Sequence, residues 1–197
     1  MKYLFVNSSF NFINKHQNLD HYNQVKIKYG LEVLYHFVTK TIVIFFMSYL
    51  LHLLKYTLLL FIFYGPIRMF GHGLHAKSNK WCWINSLSVY LILDLYLKYT
   101  NFNFTILIIL LFISLFSIVL WAPADTKNEP LVNKKTRKKL KIKSIIIGIA
   151  YCIIFMITKY SILQKIICFS LLLESVLINP FIYYITKSKY KNYLDYR

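Results

Sequence analysis

The chain has 197 residues, of which 57% are hydrophobic and only 16% are charged, and its mean hydropathy is +0.48. These values lie far from those of a soluble domain of this length and predict an integral membrane protein. The 24 Lys and Arg residues against 7 acids favour cytoplasmic loops and contact with anionic lipid headgroups over nucleic-acid binding.

The N-terminal region, residues 1–40, mixes lysines with apolar side chains. One helical face carries Ile27, Leu31, Leu34, Tyr35 and Val38. This pattern predicts either an amphipathic helix that lies in the membrane interface or a short helix packed between spans. The first residues have no long apolar core and no small-residue cleavage site, so no secretory signal is expected.

The stretch 41–66 is apolar except for His52 and Lys55 near its middle. A single span would bury the ammonium group of Lys55 in hydrocarbon, at a cost of about 3 kcal/mol or more. A tight hairpin with arms 41–53 and 56–66 avoids this cost, and Gly65-Pro66 is expected to end its second helix. A full crossing needs roughly 20 residues, so arms this short would tilt, form a re-entrant segment in the membrane, or pack against neighbouring helices.

Two longer helical hairpins are predicted at 83–121 and 144–185. Between them lies a polar island, 122–143, in which seven of the eleven residues from Asn133 to Lys143 are Lys or Arg. The positive-inside rule places this loop and the basic tail 186–197 in the cytoplasm. We therefore predict one all-α membrane-embedded domain over 1–197, with about six hydrophobic segments and the N-terminal amphipathic region.

The polar segment 67–82 contains the sequence RMFGHGLHAKSNKWC, from Arg68 to Cys82. Cysteine acts as a nucleophile when a base or a helix N-terminus favours its thiolate, and histidine titrates near neutral pH, so Cys82 and His75 are the candidate pair. The alternative is that Cys82 only packs and His75 only lies at the membrane surface. The other cysteines, Cys152 and Cys168, fall within spans and are expected to pack.

The spacing of the pair excludes one straight helix. Seven residues would separate His75 and Cys82 by roughly 10 Å along the axis, which is too far for proton transfer. A loop that folds His75 back over the next helix is expected instead, with Ser78 or Asn79 as N-cap and Cys82 in the first turn. Arg68 could bind a substrate carboxylate or acidic side chain, or a lipid phosphate.

Two acids fall within apolar segments. Asp94 lies near the end of its segment and is expected to reach water or Lys98, four residues further on. Glu174 lies near the middle of the last segment, where an acid normally faces the bundle interior and finds a partner that the sequence does not identify. The three cysteines form no even set and no CxxC pair, so no disulfide framework, metal site or cofactor is predicted.

These motifs resemble the accessory gene regulator B (AgrB) family over most of the chain. The resemblance is carried by Arg68, Gly73, His75, Ala76, Ser78, Cys82, Ala122-Pro123-Ala124-Asp125-Thr126 and Pro130. The family commonly has paired glycines two and three residues before the histidine. Here His72 takes the first of those places and Gly71 precedes it.

The resemblance implies an integral-membrane cysteine endopeptidase that trims a short precursor peptide, AgrD, and closes it into a thiolactone or lactone ring used for quorum sensing. It implies that Cys82 is the nucleophile and His75 its partner, and that the protein is a homodimer. Supporting or substrate-binding roles are expected for Arg68, Gly73, Ser78 and Asp125.

We therefore expect a multi-pass protein of the cell membrane that processes an AgrD-like precursor on the cytoplasmic side. The alternative is a non-enzymatic membrane component of a small-peptide export system that uses the same basic loop. A very short precursor gene beside this one would favour the peptidase, whereas a neighbouring ATPase would favour export.

Overall fold

A computed structural model describes residues 2–17, 20–76, 78–127 and 129–196. In these ranges the regular secondary structure is helical, which confirms the all-α prediction. The α-helices are α1 (Lys2–His16), α2 (His21–Leu50), α3 (Leu54–Gly71), α4 (Asn79–Tyr99), α5 (Phe104–Trp121), α6 (Lys134–Ile157), α7 (Ser161–Ile178) and α8 (Pro180–Ile185), and the short 3-10 helix Asn192–Tyr196 follows.

Residues 1–51 form one compact unit, in which α1 packs against α2. An ion pair of 2.7 Å joins Lys2 to Glu32, and the ammonium group of Lys28 lies 4.4 Å from the ring centroid of Phe10. Helix α2 runs without a break through residue 40, where the sequence suggested a boundary between an amphipathic helix and a hairpin arm. No Gly or Pro lies between residues 31 and 50, so nothing in the local sequence interrupts the helix.

The helix break expected around His52 and Lys55 lies at residues 51–53. His52 adopts a positive φ of 55°, which turns the chain at this point. Helix α3 then continues past Gly65-Pro66, where the sequence predicted its end, and stops only at Gly71. Ile67, directly after the proline, is fully buried in the core, so packing favours continuation of the helix beyond Pro66.

Residues 52–197 form the second unit, and α7 is its central helix. Helices α3 and α5 make the largest contacts with α7, and α6 packs against α3, α5 and α7. The buried core includes Leu111, Ile118, Phe155, Ile167 and Leu171. Lipid is as apolar as these side chains, so helix association here depends on close packing and on polar contacts.

Four helices in the described residues are long and apolar enough to cross a membrane: α2, α5, α6 and α7. The remaining two of the six predicted hydrophobic segments correspond to α3 and α4, which are not among them. Whether the chain crosses six times stays a prediction. Helix α6 begins within the predicted basic loop, because Asn133 caps it by accepting from the N–H groups of Lys135 and Thr136.

The second unit has two distinct ends. At one end the ammonium group of Lys165 donates to the carbonyl oxygens of Leu97 and Thr100, at 2.9 and 3.0 Å, so the turn between α4 and α5 lies beside the start of α7. At the other end the backbone N–H of Leu74 donates to the carbonyl oxygen of Leu177, at 3.0 Å. The segment that contains His75 therefore lies at the end of the bundle where α7 finishes.

The expectation for Asp94 was wrong. Its side chain is fully buried and accepts a hydrogen bond of 2.5 Å from the hydroxyl group of Thr57 on α3, whereas Lys98 reaches the carbonyl oxygen of His52. The reason is that Asp94 lies on the face of α4 that packs against α3. This carboxylate is a structural link between the two helices that flank the candidate catalytic segment.

Candidate active site

The segment that follows α3 is extended and is fixed by backbone hydrogen bonds. The N–H of Gly73 donates to the carbonyl oxygen of Ala124 at 2.7 Å, and the N–H of Ala124 donates to the carbonyl oxygen of Gly71 at 3.1 Å. These two bonds form a parallel bridge between His72 and Ala124. Two stretches that are about fifty residues apart in the sequence, 71–76 and 122–127, are thereby held side by side.

Arg68 holds this segment from the last turn of α3. Its guanidinium group donates to the carbonyl oxygens of His72 and Leu74, the second at 2.5 Å. The same group lies 3.6 Å from the carboxylate of Glu174, whose side chain is fully buried on α7. Arg68 is thus the partner that the sequence could not identify for Glu174, and the expectation that this acid faces the bundle interior is confirmed.

The two glycines of the segment are required by close packing. A Cβ atom at Gly71 would overlap the carboxylate of Glu174. Gly73 has a φ of 93°, and a Cβ atom there would lie 2.8 Å from the carbonyl oxygen of Leu177 and 2.9 Å from the guanidinium group of Arg68. Larger residues at either position would displace the segment that carries His75.

His72 occupies a position at which the family that this sequence resembles commonly has glycine. Its backbone has a φ of 58° and a ψ of −120°, a region that favours glycine and is strained for other residues by about 1–3 kcal/mol. Burial lowers the pKa of His72, with Glu129 acting in the opposite direction. The imidazole of His72 is therefore neutral at neutral pH. The backbone at this position is strained.

His75 lies at the open side of the fixed segment. Its side chain is 49% exposed, and its Nε2 atom is 3.9 Å from a carboxylate oxygen of Glu129. It lines a cavity of about 560 Å³ together with Thr126, Lys127 and residues of the C-terminal tail. His75 is thus accessible to a ligand and has Glu129 as an acidic neighbour.

Cys82 lies at the start of the next helix. Ser78 is the N-cap of α4 and accepts a hydrogen bond of 3.4 Å from the N–H of Trp81, as the sequence predicts. The N–H of Cys82 makes the first hydrogen bond within the helix, to the carbonyl oxygen of Ser78 at 2.9 Å. His75 and Cys82 therefore belong to different elements, as their spacing requires, and the thiol is partly exposed at a helix N-terminus.

Asp125 makes contacts that the sequence did not predict. Its carboxylate is nearly buried and accepts from the backbone N–H groups of Asn192 at 2.9 Å, Tyr193 at 2.8 Å and Leu131 at 3.3 Å. Its carbonyl oxygen accepts from the hydroxyl group of Tyr183 at 3.0 Å. Asp125 thus joins the polar island to the C-terminal tail.

The structure brings Arg68, Gly73 and Asp125 together around the bridge between the two polar stretches, with His75 at its edge. Ser78 and Cys82 begin the adjoining helix. Sequence reasoning did not identify Glu129, Tyr183 or Asn192 as neighbours of these residues. Single polar residues in loops and short helices carry no periodic signal, so only the tertiary contacts reveal them.

Comparison with known proteins places these motifs in a family. The model of the family "Accessory gene regulator B" matches residues 6–178. The accessory gene regulator protein B of Staphylococcus aureus is 32% identical over 169 residues, which cover 86% of this chain and 88% of that protein. An AgrB-like protein of Clostridium acetobutylicum is 30% identical over 187 residues, covering 93% of this chain and 88% of the relative. No solved structure matches.

The ion pair between Arg68 and Glu174 generates the first prediction. Arg68→Met leaves a buried carboxylate without its cation, so we expect a loss of about 3–5 kcal/mol of stability. Arg68→Met combined with Glu174→Met removes both charges and should recover at least half of that loss. Thermal unfolding of the purified variants in detergent measures the effect, with Arg137→Met as the matched arginine control. A double variant as unstable as Arg68→Met would contradict the pairing.

The backbone of His72 generates the second prediction. His72→Gly relieves strain at a positive φ, so we expect the thermal stability to stay the same or to rise, by up to about 1 kcal/mol. His72→Val places a β-branched residue in the same conformation and should lower it. Unfolding of both variants in one detergent measures the difference. Equal stability of the two would show that the strain is absent.

Proposed function

The chain belongs to the accessory gene regulator B family, and from this membership we propose that it is a cysteine endopeptidase of the cell membrane that processes an AgrD-like precursor peptide. The observation that carries the proposal is the placement of His75 beside an open cavity, with Cys82 at the capped start of the next helix. A nucleophile at a helix N-terminus and a titratable base from an adjoining loop are the two groups that thiol-dependent peptide cleavage needs.

The first step is attack by the thiolate of Cys82 on the scissile carbonyl carbon. The carbon–nitrogen bond breaks, the N-terminal part of the precursor stays on Cys82 as an acyl-thioester, and His75 gives a proton to the departing amine. Glu129 is the acidic neighbour of His75 in this step, with a carboxylate oxygen 3.9 Å from Nε2. Both side chains are half exposed, so solvent screens this interaction.

The second step explains how cleavage leads to a ring. A thiol of the precursor gives its proton to His75, which the first step left neutral, and attacks the acyl-thioester; a new thioester forms within the peptide, and the thiolate of Cys82 leaves. One thioester replaces another, so the exchange is close to thermoneutral. It leads to the ring provided that water does not hydrolyse the intermediate first. Cys82 lies between Trp81 and Trp83 at the start of α4 and is partly exposed, and we propose that contact of these tryptophans with the membrane interface limits the access of bulk water.

Membrane orientation follows from charge. The basic stretch and the tail lie at the same end of the second unit as His75, because Lys143 contacts the ring of Phe70, Arg137 stacks on Tyr193, and Asp125 binds the tail at Asn192. The turn at Thr100 lies at the opposite end. Under the positive-inside rule the basic end faces the cytoplasm. We therefore propose that the precursor is cut at the cytoplasmic face. The homodimer that the resemblance implies stays a prediction.

The chemistry gives the third prediction. Cys82→Ala and His75→Ala should each reduce precursor cleavage by at least about a thousandfold without loss of membrane insertion, and the double variant should be no worse than either single one. Cys152→Ala and Cys168→Ala are the matched controls and should keep activity.

A precursor whose internal cysteine is replaced by alanine should accumulate as an adduct on Cys82 that hydroxylamine releases. Intact-mass spectrometry detects this adduct. Appreciable precursor cleavage by the Cys82→Ala variant would contradict the proposed function.

The orientation gives the fourth prediction. In a background without native cysteines, single cysteines at Lys138 and Lys189 should resist an impermeant thiol reagent in intact cells. A cysteine at Asn101 should label. All three should label after the cells are opened, which controls for reactivity. Labelling at Lys138 from outside would overturn the cytoplasmic assignment of the site.

A further inference from the structure

The C-terminal tail forms one wall of the cavity that His75 lines. Leu74, His75, Thr126 and Lys127 line one side, and the tail from Lys187 to Tyr196 contributes the other. Cys82 does not line this cavity. At about 560 Å³ the cavity lies within the range of ligand pockets, so a short stretch of peptide can enter it.

The tail is anchored and does not merely cover the surface. Asp125 binds the backbone N–H groups of Asn192 and Tyr193, and the side-chain amide of Asn192 donates to the carbonyl oxygen of Asp125 at 3.4 Å. The guanidinium group of Arg137 lies 3.7 Å from the ring centroid of Tyr193. The anchor of the wall is therefore next to the segment that carries His75.

The lining is positively charged. Among the described lining residues are three lysines, Lys127, Lys187 and Lys189, and one carboxylate, that of Asp195. Lys189 forms an ion pair with Asp195, and Glu129 lies 3.9 Å from His75, so Lys127 and Lys187 are the lining cations that can contact a bound carboxylate. Both are exposed side chains at the edge of the cavity, where they can reach a carboxylate of a bound peptide.

The role of His75 decides which part of the precursor would lie there. The group that protonates the departing amine faces the peptide that follows the scissile bond, whereas Cys82 holds the part that precedes it. We infer, on the basis of the proposed function, that the tail from Lys187 to Tyr196 forms the binding wall for the leaving segment of the precursor, and that Lys127 and Lys187 select acidic side chains in it.

The tail lies beyond residue 178, where the match to the family model ends. The bridge, Arg68 and Cys82 all lie within the matched region. The wall of the cavity therefore combines matched residues, which include His75, with a segment outside that match.

Binding to the full chain carrying Cys82→Ala tests this inference separately from cleavage. The probes are a short fluorescein-labelled peptide rich in glutamate and the same peptide with glutamine at each of those positions, with the protein in nanodiscs of zwitterionic lipid. Fluorescence anisotropy should show tighter binding of the glutamate peptide. Lys187→Glu should weaken that binding by about tenfold and leave the glutamine peptide unaffected.

Lys191→Glu is the matched control, because Lys191 is also an exposed lysine of the tail with a positive φ, but it does not line the cavity. It should change binding by less than about twofold, since its charge lies outside the site. Lys127 lies on the opposite wall, so Lys127→Glu should reproduce the effect of Lys187→Glu. Because this variant leaves the tail sequence unchanged, the same effect in both variants excludes a folding defect of the tail as its cause.

Equal effects of Lys187→Glu and Lys191→Glu, or equal binding of the two peptides, would overturn the inference even if the enzyme cleaves its precursor. Selective binding by the Cys82→Ala chain, together with no precursor cleavage by the chain that keeps Cys82, would instead refute the proposed function and leave the acidic-peptide site in place. The two failures are therefore distinguishable.

Discussion

The buried contact between Arg68 and Glu174 is the constraint on which the rest of the site depends. The carboxylate is fully buried on α7, and the guanidinium group on α3 lies 3.6 Å away while it also donates to two backbone carbonyl oxygens. Removing two charges from water is costly, and their attraction offsets that cost only when further hydrogen bonds are made. Arg68 meets this condition on the side of the cation, because its planar group donates to the carbonyl oxygens of His72 and Leu74, whereas the carboxylate oxygens of Glu174 accept no hydrogen bond from the described residues. The ion pair thereby fixes a loop as well as two helices.

His75 and Cys82 are positioned by different parts of the bundle. His75 follows the segment that Arg68, Ala124 and Leu177 hold, so its place is set by α3 and α7. Cys82 belongs to α4, which is joined to α3 by the hydrogen bond between Thr57 and Asp94. The relative position of the imidazole and the thiol therefore depends on two polar contacts inside an otherwise apolar bundle. In lipid such contacts specify the packing of helices that apolar surfaces alone would leave free to slide.

Sequence reasoning predicted several features that are local. The cap at Ser78 and the break near His52 each follow from residue types within a few positions, whereas the helix end expected at Gly65-Pro66 was wrong, because α3 continues to Gly71. The partner of Glu174 could not be predicted, because Arg68 is about a hundred residues away and only tertiary packing joins them. The start of α6 was placed too late because Lys134 to Lys143 was interpreted as a loop from its charge. Lysine and arginine are good helix formers, and Asn133 provides a cap, so a strongly basic stretch can continue directly into a span.

The charge at the start of α6 has a physical consequence for the whole chain. Cations near a helix N-terminus oppose the helix dipole, at roughly 0.3–1 kcal/mol each for those in the first turn. Lys134, Lys135 and Arg137 occupy that position, so they do not serve the stability of the isolated helix. Arg137 offsets part of the cost by donating to the carbonyl oxygen of Leu131 at 2.8 Å and by stacking on Tyr193 of the tail. For Lys134 and Lys135, anionic headgroups at the membrane surface would supply a compensating negative charge. The basic cluster therefore supports the proposed orientation of the bundle, in which His75 and the cavity face the cytoplasm.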